Sequence, residues 1–230
     1  MKHALKQFLT PVEWAIWLSS VAVTLASFFL SPVRDALNLT ASLFGVTALI
    51  FVAKGRALGH FLCLIFALLY GVASFRLAYY GEMITYLGMS APMALFSLIA
   101  WVRHPAKDAR EVEVARLTRR SLTGLLLLTA AVTAAFYFIL RALDTAQLAV
   151  STISIATSFL AAGLTFLRSP YYALAYTAND VVLIVLWILA ALQDPSSAVM
   201  VACFALFLVN DLYGFFNWRR MRQRQATKTY

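Results

Sequence analysis

The last apolar stretch of the chain, residues 198–218, carries polar side chains at positions where a membrane helix is normally apolar. Asn210, Asp211, Tyr213 and Asn217 interrupt the sequence AVMVACFALFLVNDLYGFFNW. About 21 residues of α-helix span roughly 30 Å, which is the thickness of the hydrocarbon core of a bilayer. An aspartate at that depth costs a few kcal/mol on insertion scales, so it normally faces a bundle interior, a water-filled cavity or a substrate path. The stretch therefore predicts a membrane helix whose polar side chains contact a polar group or ligand inside the membrane.

A second apolar stretch, SPYYALAYTANDVVLIVLW at residues 169–187, carries a similar set of side chains. Tyr172, Tyr176, Asn179 and Trp187 fall at helical spacing, so they share one face of a helix, and Asp180 lies beside that face. In the last stretch the same spacing places the two asparagines and the tyrosine on one face, with the aspartate beside it. Packed against each other, the two faces would bring amides, two carboxylates and aromatic rings together near the middle of the membrane.

This set of side chains suits a flat, polar and cationic ligand. Aromatic rings stack on heteroaromatic bases and attract cations, amides bond to sugar hydroxyls, and a carboxylate offsets positive charge. Polar side chains also hold membrane helices together, at about 0.6 kcal/mol per contact on average, but two Asn-Asp pairs on neighbouring helices favour a binding site. The predicted substrate-binding residues are Tyr176, Asn179, Asp180, Trp187, Asn210, Asp211, Tyr213 and Asn217.

Other chemistries have little support in the sequence. There is no phosphate-binding P-loop, no H-E-x-x-H helix, no G-x-S-x-G elbow and no Cys/His cluster. The two cysteines, Cys63 and Cys203, lie singly inside apolar stretches, which is typical of packing residues. We therefore expect no enzymatic activity, no cofactor and no metal site.

The composition is that of an integral membrane protein. Of the 230 residues, 62% are hydrophobic and 13% are charged, and the mean hydropathy is +0.80. The formal net charge of +9 does not indicate a nucleic-acid partner, because the Lys and Arg residues lie between apolar segments rather than in one basic domain. They are better interpreted as topology signals.

Eight apolar segments are predicted to cross the membrane. The second is short, and its ends are expected to extend by several residues. The first could be mistaken for a signal peptide, but Phe28, Phe29 and Leu30 stand where small cleavage-site residues would be needed, so we expect a retained helix. The segments are residues 12–31, 41–53, 57–79, 83–102, 121–143, 148–167, 170–192 and 197–218.

The distribution of basic residues predicts that both termini are cytoplasmic. With the N-terminus inside, sixteen of the 19 Lys and Arg residues fall on the inner side, and only Arg34, Arg76 and Arg141 fall outside. The inner loop 103–120 is predicted to be a short helix near the headgroups or, more simply, a solvated linker. Trp101 and Trp218 each precede basic residues at the inner boundary, a position typical of membrane-interface anchors.

An internal repeat relates the two halves of the chain. A shift of 117 residues places Trp101 on Trp218 and Met83 on Met200, with further matches among aromatic and small residues. The two triplets of segments have the same orientation, and the single segment at 121–143 supplies the odd span that such an arrangement needs. The predicted fold class is all-α integral membrane, with two parallel three-helix bundles, a linker helix and one extra N-terminal helix. The predicted units are residues 1–36 (extra helix), 37–102 (first triplet), 103–147 (loop and linker helix), 148–218 (second triplet) and 219–230 (basic cytoplasmic tail).

The chain resembles the PnuC family of bacterial vitamin transporters from about residue 41 to residue 222. The most specific segments are SPYYALAYTANDVVLIVLW at 169–187 and NDLYGFFNWRR at 210–220, supported by AKGR at 53–56 and YGEM at 80–83. The resemblance implies a fold similar to the SWEET sugar transporters, a homotrimer in the bacterial inner membrane, and facilitated diffusion with trapping by an intracellular kinase. Tyr172 and Ala175 stand where nicotinamide riboside carriers often have tryptophans.

The leading hypothesis is therefore a carrier of a nucleoside-like vitamin, most simply nicotinamide riboside. Asn179, Asn210 and Asn217 would bond to the ribose and carboxamide, the nearby aromatic rings would stack on the base, and an aspartate would balance the pyridinium charge. The alternatives are carriage of thiamine, riboflavin or deoxynucleosides, a proton-coupled carrier, or a membrane scaffold without transport activity. The expected partners are the substrate, the lipid bilayer and further copies of the chain.

Overall fold

The computed structural model describes residues 9–30, 36–76, 80–107, 111–145, 147–192 and 198–227. A π-helical turn, Tyr86–Ser90, joins the fourth and fifth helices into one span. The helices are α1 (Pro11–Leu30), α2 (Ala36–Ala53), α3 (Leu58–Arg76), α4 (Tyr80–Thr85), α5 (Ala91–Arg103), α6 (Arg119–Ala142), α7 (Leu148–Phe166), α8 (Tyr172–Ala191) and α9 (Ala198–Thr227).

Within the described residues, eight spans are long and apolar enough to cross a membrane, so the predicted all-helical membrane class is confirmed. The helix α2 begins at Ala36, five residues before the predicted start, which gives the short second segment a full membrane length. The helix α6 begins where the side chain of Thr118 accepts a hydrogen bond from the backbone N–H of Ser121, and Ser121 returns the contact. Of the Lys and Arg residues counted for the topology, Lys2, Lys6, Arg34, Arg110 and Lys228 lie outside the described residues.

The helices of the two predicted triplets make equivalent contacts. In the first triplet α3 packs against α2 and α5, and in the second α8 packs against α7 and α9. Between the triplets α2 contacts α9, and α5 contacts α7. In both cases the first helix of one triplet packs on the last helix of the other. The helix α6 packs on α7, while α1 packs on α2 and α9. The two triplets therefore meet through their first and last helices.

Two tryptophans cross between the triplets at the end of the bundle that carries Lys54, Arg56 and residues 103–107 and 111–118, here called the basic end. Trp101 in α5 donates its indole N–H to the carbonyl of Thr165 (3.0 Å), and Trp218 in α9 donates to the carbonyl of Val52 (3.1 Å). Each acceptor lies next to the C-terminal residue of its helix, where carbonyl groups lack helical partners. The two rings contact each other with their centroids 5.2 Å apart.

The prediction that these tryptophans are interface anchors is wrong. Trp101 and Trp218 are 2% and 0% exposed, so their rings lie inside the bundle rather than among headgroups. The two tryptophans, which match in the repeat, instead make equivalent hydrogen bonds. Each one donates from the last helix of its own triplet to the first helix of the other triplet. An indole ring has one N–H donor, and here the end of the opposite helix supplies the acceptor.

The loop at the basic end is not the predicted helix. Residues 111–118, here called the strap, are non-helical because their backbone N–H groups bond to other parts of the chain. The N–H of Val112 donates to the carbonyl of Gly55 (2.8 Å), and the N–H of Ala115 donates to that of Arg168 (3.1 Å). Gly55 and Arg168 follow α2 and α7 respectively, and both have a left-handed backbone with φ of 67° and 55°. The strap therefore bridges equivalent turns of the two triplets.

The helix α9 continues past the predicted membrane segment and contacts the strap. It runs to Thr227, so the predicted boundary at residue 218 falls inside a helix. The side chain of Gln225 donates to the carbonyl of Val112 (3.0 Å) and accepts from the N–H of Val114 (2.9 Å). Arg224 adds an ion pair to Glu111 at 3.3 Å. The described basic residues after Trp218, which are Arg219, Arg220, Arg222 and Arg224, thus belong to a helix that packs on the strap.

Candidate functional site

The two predicted aspartates meet between α8 and α9. The carboxyl groups of Asp180 and Asp211 lie within hydrogen-bonding reach of each other, and the residues are only 3% and 6% exposed. Neither forms an ion pair with a Lys or Arg of the described residues. Two carboxylates in contact away from water repel each other strongly, so we expect the pair to hold one proton and one net negative charge.

Tyr176 places this pair at the junction of four helices. It precedes Asp180 by one helical turn, and its hydroxyl lies near Asp211 of α9, Cys63 of α3 and Thr165 of α7. Its ring lies 6.2 Å from that of Tyr172, edge to face. An aromatic ring therefore lies beside the carboxyl pair, in the interior where the two triplets face each other.

Asn210 adds an amide next to the pair. It is buried, and its side-chain oxygen has no hydrogen-bond partner within the described residues. The Oδ2 atom of Asp180 is likewise without one. Buried polar atoms are nearly always satisfied in folded proteins, so unsatisfied acceptors on two helices that pack together are candidates for hydrogen bonds donated by a polar molecule.

Asn179 is held by hydroxyl groups of the neighbouring helix. Its side-chain oxygen accepts from Thr157 (2.8 Å), Ser158 (3.0 Å) and Ser154 (3.3 Å) of α7. A carbonyl oxygen has two lone pairs, so three hydroxyls exceed what it can bind well at once. Asn179 therefore joins α7 to α8, and the hydroxyl of Thr157 can instead donate to the carbonyls of Ile153 (3.0 Å) or Ser154 (3.1 Å) in its own helix.

The other predicted site residues lie apart from the carboxyl pair. Trp187 is half-buried and lies two turns further along α8, about 10 Å from Asp180 along the helix axis. Tyr213 donates its hydroxyl to Glu13 of α1 (2.7 Å), and Asn217 donates its amide to the carbonyl of Ala53 in α2 (2.9 Å). Of the eight predicted residues, Asp180 and Asp211 form the pair, and Tyr176, Asn179 and Asn210 lie next to one of its members in space or in sequence. Tyr213 and Asn217 instead contact other helices, and Trp187 lies apart.

Glu13 is a buried polar residue that the sequence reasoning missed. Its carboxylate accepts from the Nζ of Lys54 (2.6 Å) and the hydroxyl of Tyr213, and it is 2% exposed. It also accepts from the backbone N–H of Thr10 (2.6 Å), whose hydroxyl accepts from the N–H of Glu13 in return. The motif Thr10-Pro11-Val12-Glu13 is the signature of a capping box with proline in the first turn, and it could have identified the start of this helix.

Replacing Glu13 by glutamine is expected to destabilise the protein by about 3 kcal/mol, because it leaves the largely buried ammonium group of Lys54 without a counter-charge. The free energy of unfolding in detergent measures this change. The double variant Glu13→Gln with Lys54→Met should recover part of the loss, and Tyr213→Phe should cost only about 1 kcal/mol. Equal stability of the single and double variants would contradict an ion-pair role.

The hydroxyl groups of α7 were also missed. Ser151, Ser154, Ser158 and Thr165 recur at steps of three, four and seven, so one face of this apolar helix is lined with hydroxyls. That periodicity was present in the sequence and could have identified α7 as a wall of the polar interior. Among the described residues, no group of three or more His, Cys, Asp or Glu side chains could hold a metal ion.

Known proteins are similar to this chain in sequence and in fold. The profile of the family described as nicotinamide mononucleotide transporter matches residues 35–220. The nicotinamide riboside transporter PnuC of Neisseria mucosa is 25% identical over 219 residues, covering 92% of this chain and 82% of the relative. The corresponding PnuC of Haemophilus influenzae is 23% identical over 211 residues, covering 91% and 90%. The crystal structure of a vitamin B3 transporter PnuC superposes with a TM-score of 0.78 at 23% identity, covering 94% of each chain.

Proposed function

The chain belongs to the nicotinamide mononucleotide transporter family, and from this premise we propose that it carries nicotinamide riboside across the membrane by facilitated diffusion. The relatives from Neisseria mucosa and Haemophilus influenzae are both named as nicotinamide riboside transporters and are matched over 82% and 90% of their length. The observation within this chain that supports the substrate best is the buried carboxyl pair of Asp180 and Asp211 beside the ring of Tyr176.

The charge of the ligand matches the charge of the site. Nicotinamide riboside is a pyridinium, a flat ring with a permanent positive charge, joined to a ribose. A carboxyl pair with one proton presents one negative charge, and a buried negative charge is favourable only beside a positive one. A neighbouring aromatic face adds cation–π attraction, which is stronger where water is excluded. We therefore assign the pyridinium to the space beside Tyr176, Asp180 and Asp211.

The ends of the ligand match the remaining polar atoms. The unsatisfied side-chain oxygen of Asn210 is an acceptor for the N–H groups of the carboxamide. The cluster of Asn179 with Ser154, Thr157 and Ser158 offers hydroxyl and amide groups to the ribose. In this assignment Tyr213 and Asn217 hold α1 and α2 in place rather than bind the ligand, and Trp187 lies along the path to the site.

The wider setting belongs to the same proposal. The excess of basic residues at one end of the bundle supports a cytoplasmic location for both termini in a bacterial inner membrane. A homotrimer and trapping of the substrate by an intracellular kinase are proposed from the family resemblance. The chain itself is proposed to move its substrate without converting it chemically, and so to be no enzyme.

Counterflow into proteoliposomes tests the proposal. Vesicles loaded with unlabelled nicotinamide riboside should accumulate labelled nicotinamide riboside, and the rate should be unchanged when the pH gradient is collapsed. Thiamine, riboflavin and deoxynucleosides should compete at least 10-fold more weakly. Accumulation of labelled thiamine but not nicotinamide riboside would refute the substrate, and loss of exchange with the pH gradient would show a proton-coupled carrier. Vesicles without exchange of any of these compounds would support a scaffold.

A further inference from the structure

An apolar groove lies on the outside of the bundle, away from the carboxyl pair. It has a volume of about 510 Å³ and runs between the π-helical turn with α5, residues 121–136 of α6 and the second half of α7. None of the eight predicted site residues lines it, and its walls are almost entirely apolar, with Met93, Phe96, Leu128 and Phe136 among them. Its volume falls within the range of about 300–1,000 Å³ that small-molecule sites occupy.

Two glycines in the groove face open space. An added Cβ at Gly124 would meet no atom within 4 Å, and at Gly88 it would meet only the side chain of Ile84 at 3.9 Å. By contrast, a Cβ at Gly163 would collide with Leu125, so that glycine permits a contact within the chain. Glycine weakens a helix relative to alanine, and nothing in the described chain packs against Gly124 in return. The absence of a side chain at Gly124 therefore leaves space in the groove for a bound molecule.

The groove is long enough to run from one surface of the bilayer to beyond its middle. Its lining on α6 runs from Ser121, at the basic end, to Phe136, a rise of roughly 22 Å along the helix. A hydrocarbon core is about 30 Å thick, so the groove extends from the surface at the basic end past the middle of the membrane. An acyl chain that enters from that leaflet would lie along the whole groove.

The mouth of the groove is positively charged. Arg103 ends α5, and Arg119 and Arg120 begin α6; all three are exposed, and none forms an ion pair with a described carboxylate. Arg120 precedes Gly124 and Leu128 by one and two turns, so it stands on the groove face of α6. Guanidinium groups bind phosphate in a bidentate manner, and basic clefts between membrane helices suit anionic lipid headgroups.

We infer that this groove binds one anionic phospholipid, with an acyl chain between α5, α6 and α7 and its phosphate on Arg103, Arg119 and Arg120. The inference is independent of the transported substrate. The charge at one end favours a lipid over a second copy of the chain, because a copy would have to neutralise three unpaired arginines in the headgroup layer.

Native mass spectrometry of the full chain, purified in mild detergent after incubation with phosphatidylglycerol or phosphatidylcholine, tests the inference. The protein should retain one phosphatidylglycerol per chain and little phosphatidylcholine. Gly124→Leu, which fills the groove, and Arg120→Gln, which removes a phosphate ligand, should each lower the retained fraction at least five-fold. Ala130→Leu on the opposite exposed face of α6 and Arg222→Gln in the basic part of α9 are the matched controls and should change nothing.

Three results would overturn the inference. The first is equal retention of the two lipids, which would remove the headgroup contact. The second is unchanged retention in both Gly124→Leu and Arg120→Gln; because the arginine is exposed, its variant folds even if the glycine variant does not. The third is a change in the number of chains per particle caused by Gly124→Leu, which would make the groove a contact between copies.

Discussion

Replacement of both Asp180 and Asp211 by asparagine is expected to lower the exchange of nicotinamide riboside by at least about 100-fold, while either single replacement leaves most of the exchange intact. A pair that shares one proton resembles an aspartate beside an asparagine, since in both cases one partner donates a hydrogen bond and the other carries the charge. Only the double variant removes the negative charge. A buried charge pair that loses one partner costs about 3 kcal/mol or more, which is about a 100-fold change.

Counterflow rates and the ligand-dependent rise in melting temperature measure this result together. A ligand stabilises the protein only if it binds the native state, so the double variant should melt as a folded protein but lose its shift with nicotinamide riboside. Asp144→Asn is the matched control, because Asp144 is exposed and its left-handed backbone suits asparagine equally well. Normal exchange by the double variant would exclude the pair as the cation site, and complete loss in each single variant would mean that both charges are needed.

Replacement of Trp218 by alanine is expected to lower the free energy of unfolding by about 3–5 kcal/mol, the cost of removing a fully buried aromatic side chain. Trp218→Phe keeps most of the packing but loses the hydrogen bond to the carbonyl of Val52, so it should cost about 1 kcal/mol. Because the ring also touches Trp101, the double alanine variant should cost less than the two single variants added together.

Reversible unfolding in mixed micelles gives these differences. Trp14→Ala is the control, since Trp14 is half-buried in α1 and contacts only its neighbour Trp17 among the described rings. If Trp218→Ala destabilised the protein no more than Trp14→Ala, the crossed tryptophans would not hold the triplets together.

The spans could be predicted because length and hydropathy decide whether a helix crosses a membrane. The second segment was predicted to be short, and in the structure residues 36–40 extend its helix to a full membrane length. The pairing of Trp101 with Trp218 was visible as a sequence match. The burial of these two rings could not be predicted. A tryptophan followed by basic residues is found both where the ring faces lipid and where it faces the interior of the bundle. The spacing of residues in the sequence determines which of them share a face of a helix. It does not determine whether that face packs against lipid or against another helix.

The candidate site shows the same limit. Helical spacing placed Asn210, Tyr213 and Asn217 on one face, and the structure divides that face between the carboxyl pair and the contacts to α1 and α2. Glu13 was missed because a lone acid near a chain end is typically solvated, and only the approach of Lys54 and Tyr213 makes it a buried partner. Such contacts link residues up to 200 positions apart, and they cannot be derived from local pattern.

The two crossed tryptophans have a mechanical consequence. Each joins the last helix of one triplet to the first helix of the other, and their rings touch, so both hydrogen bonds lie across the same seam. Because the two rings pack on each other, we expect the loss of one of these hydrogen bonds to weaken the other. Opening of the basic end would then be cooperative rather than gradual.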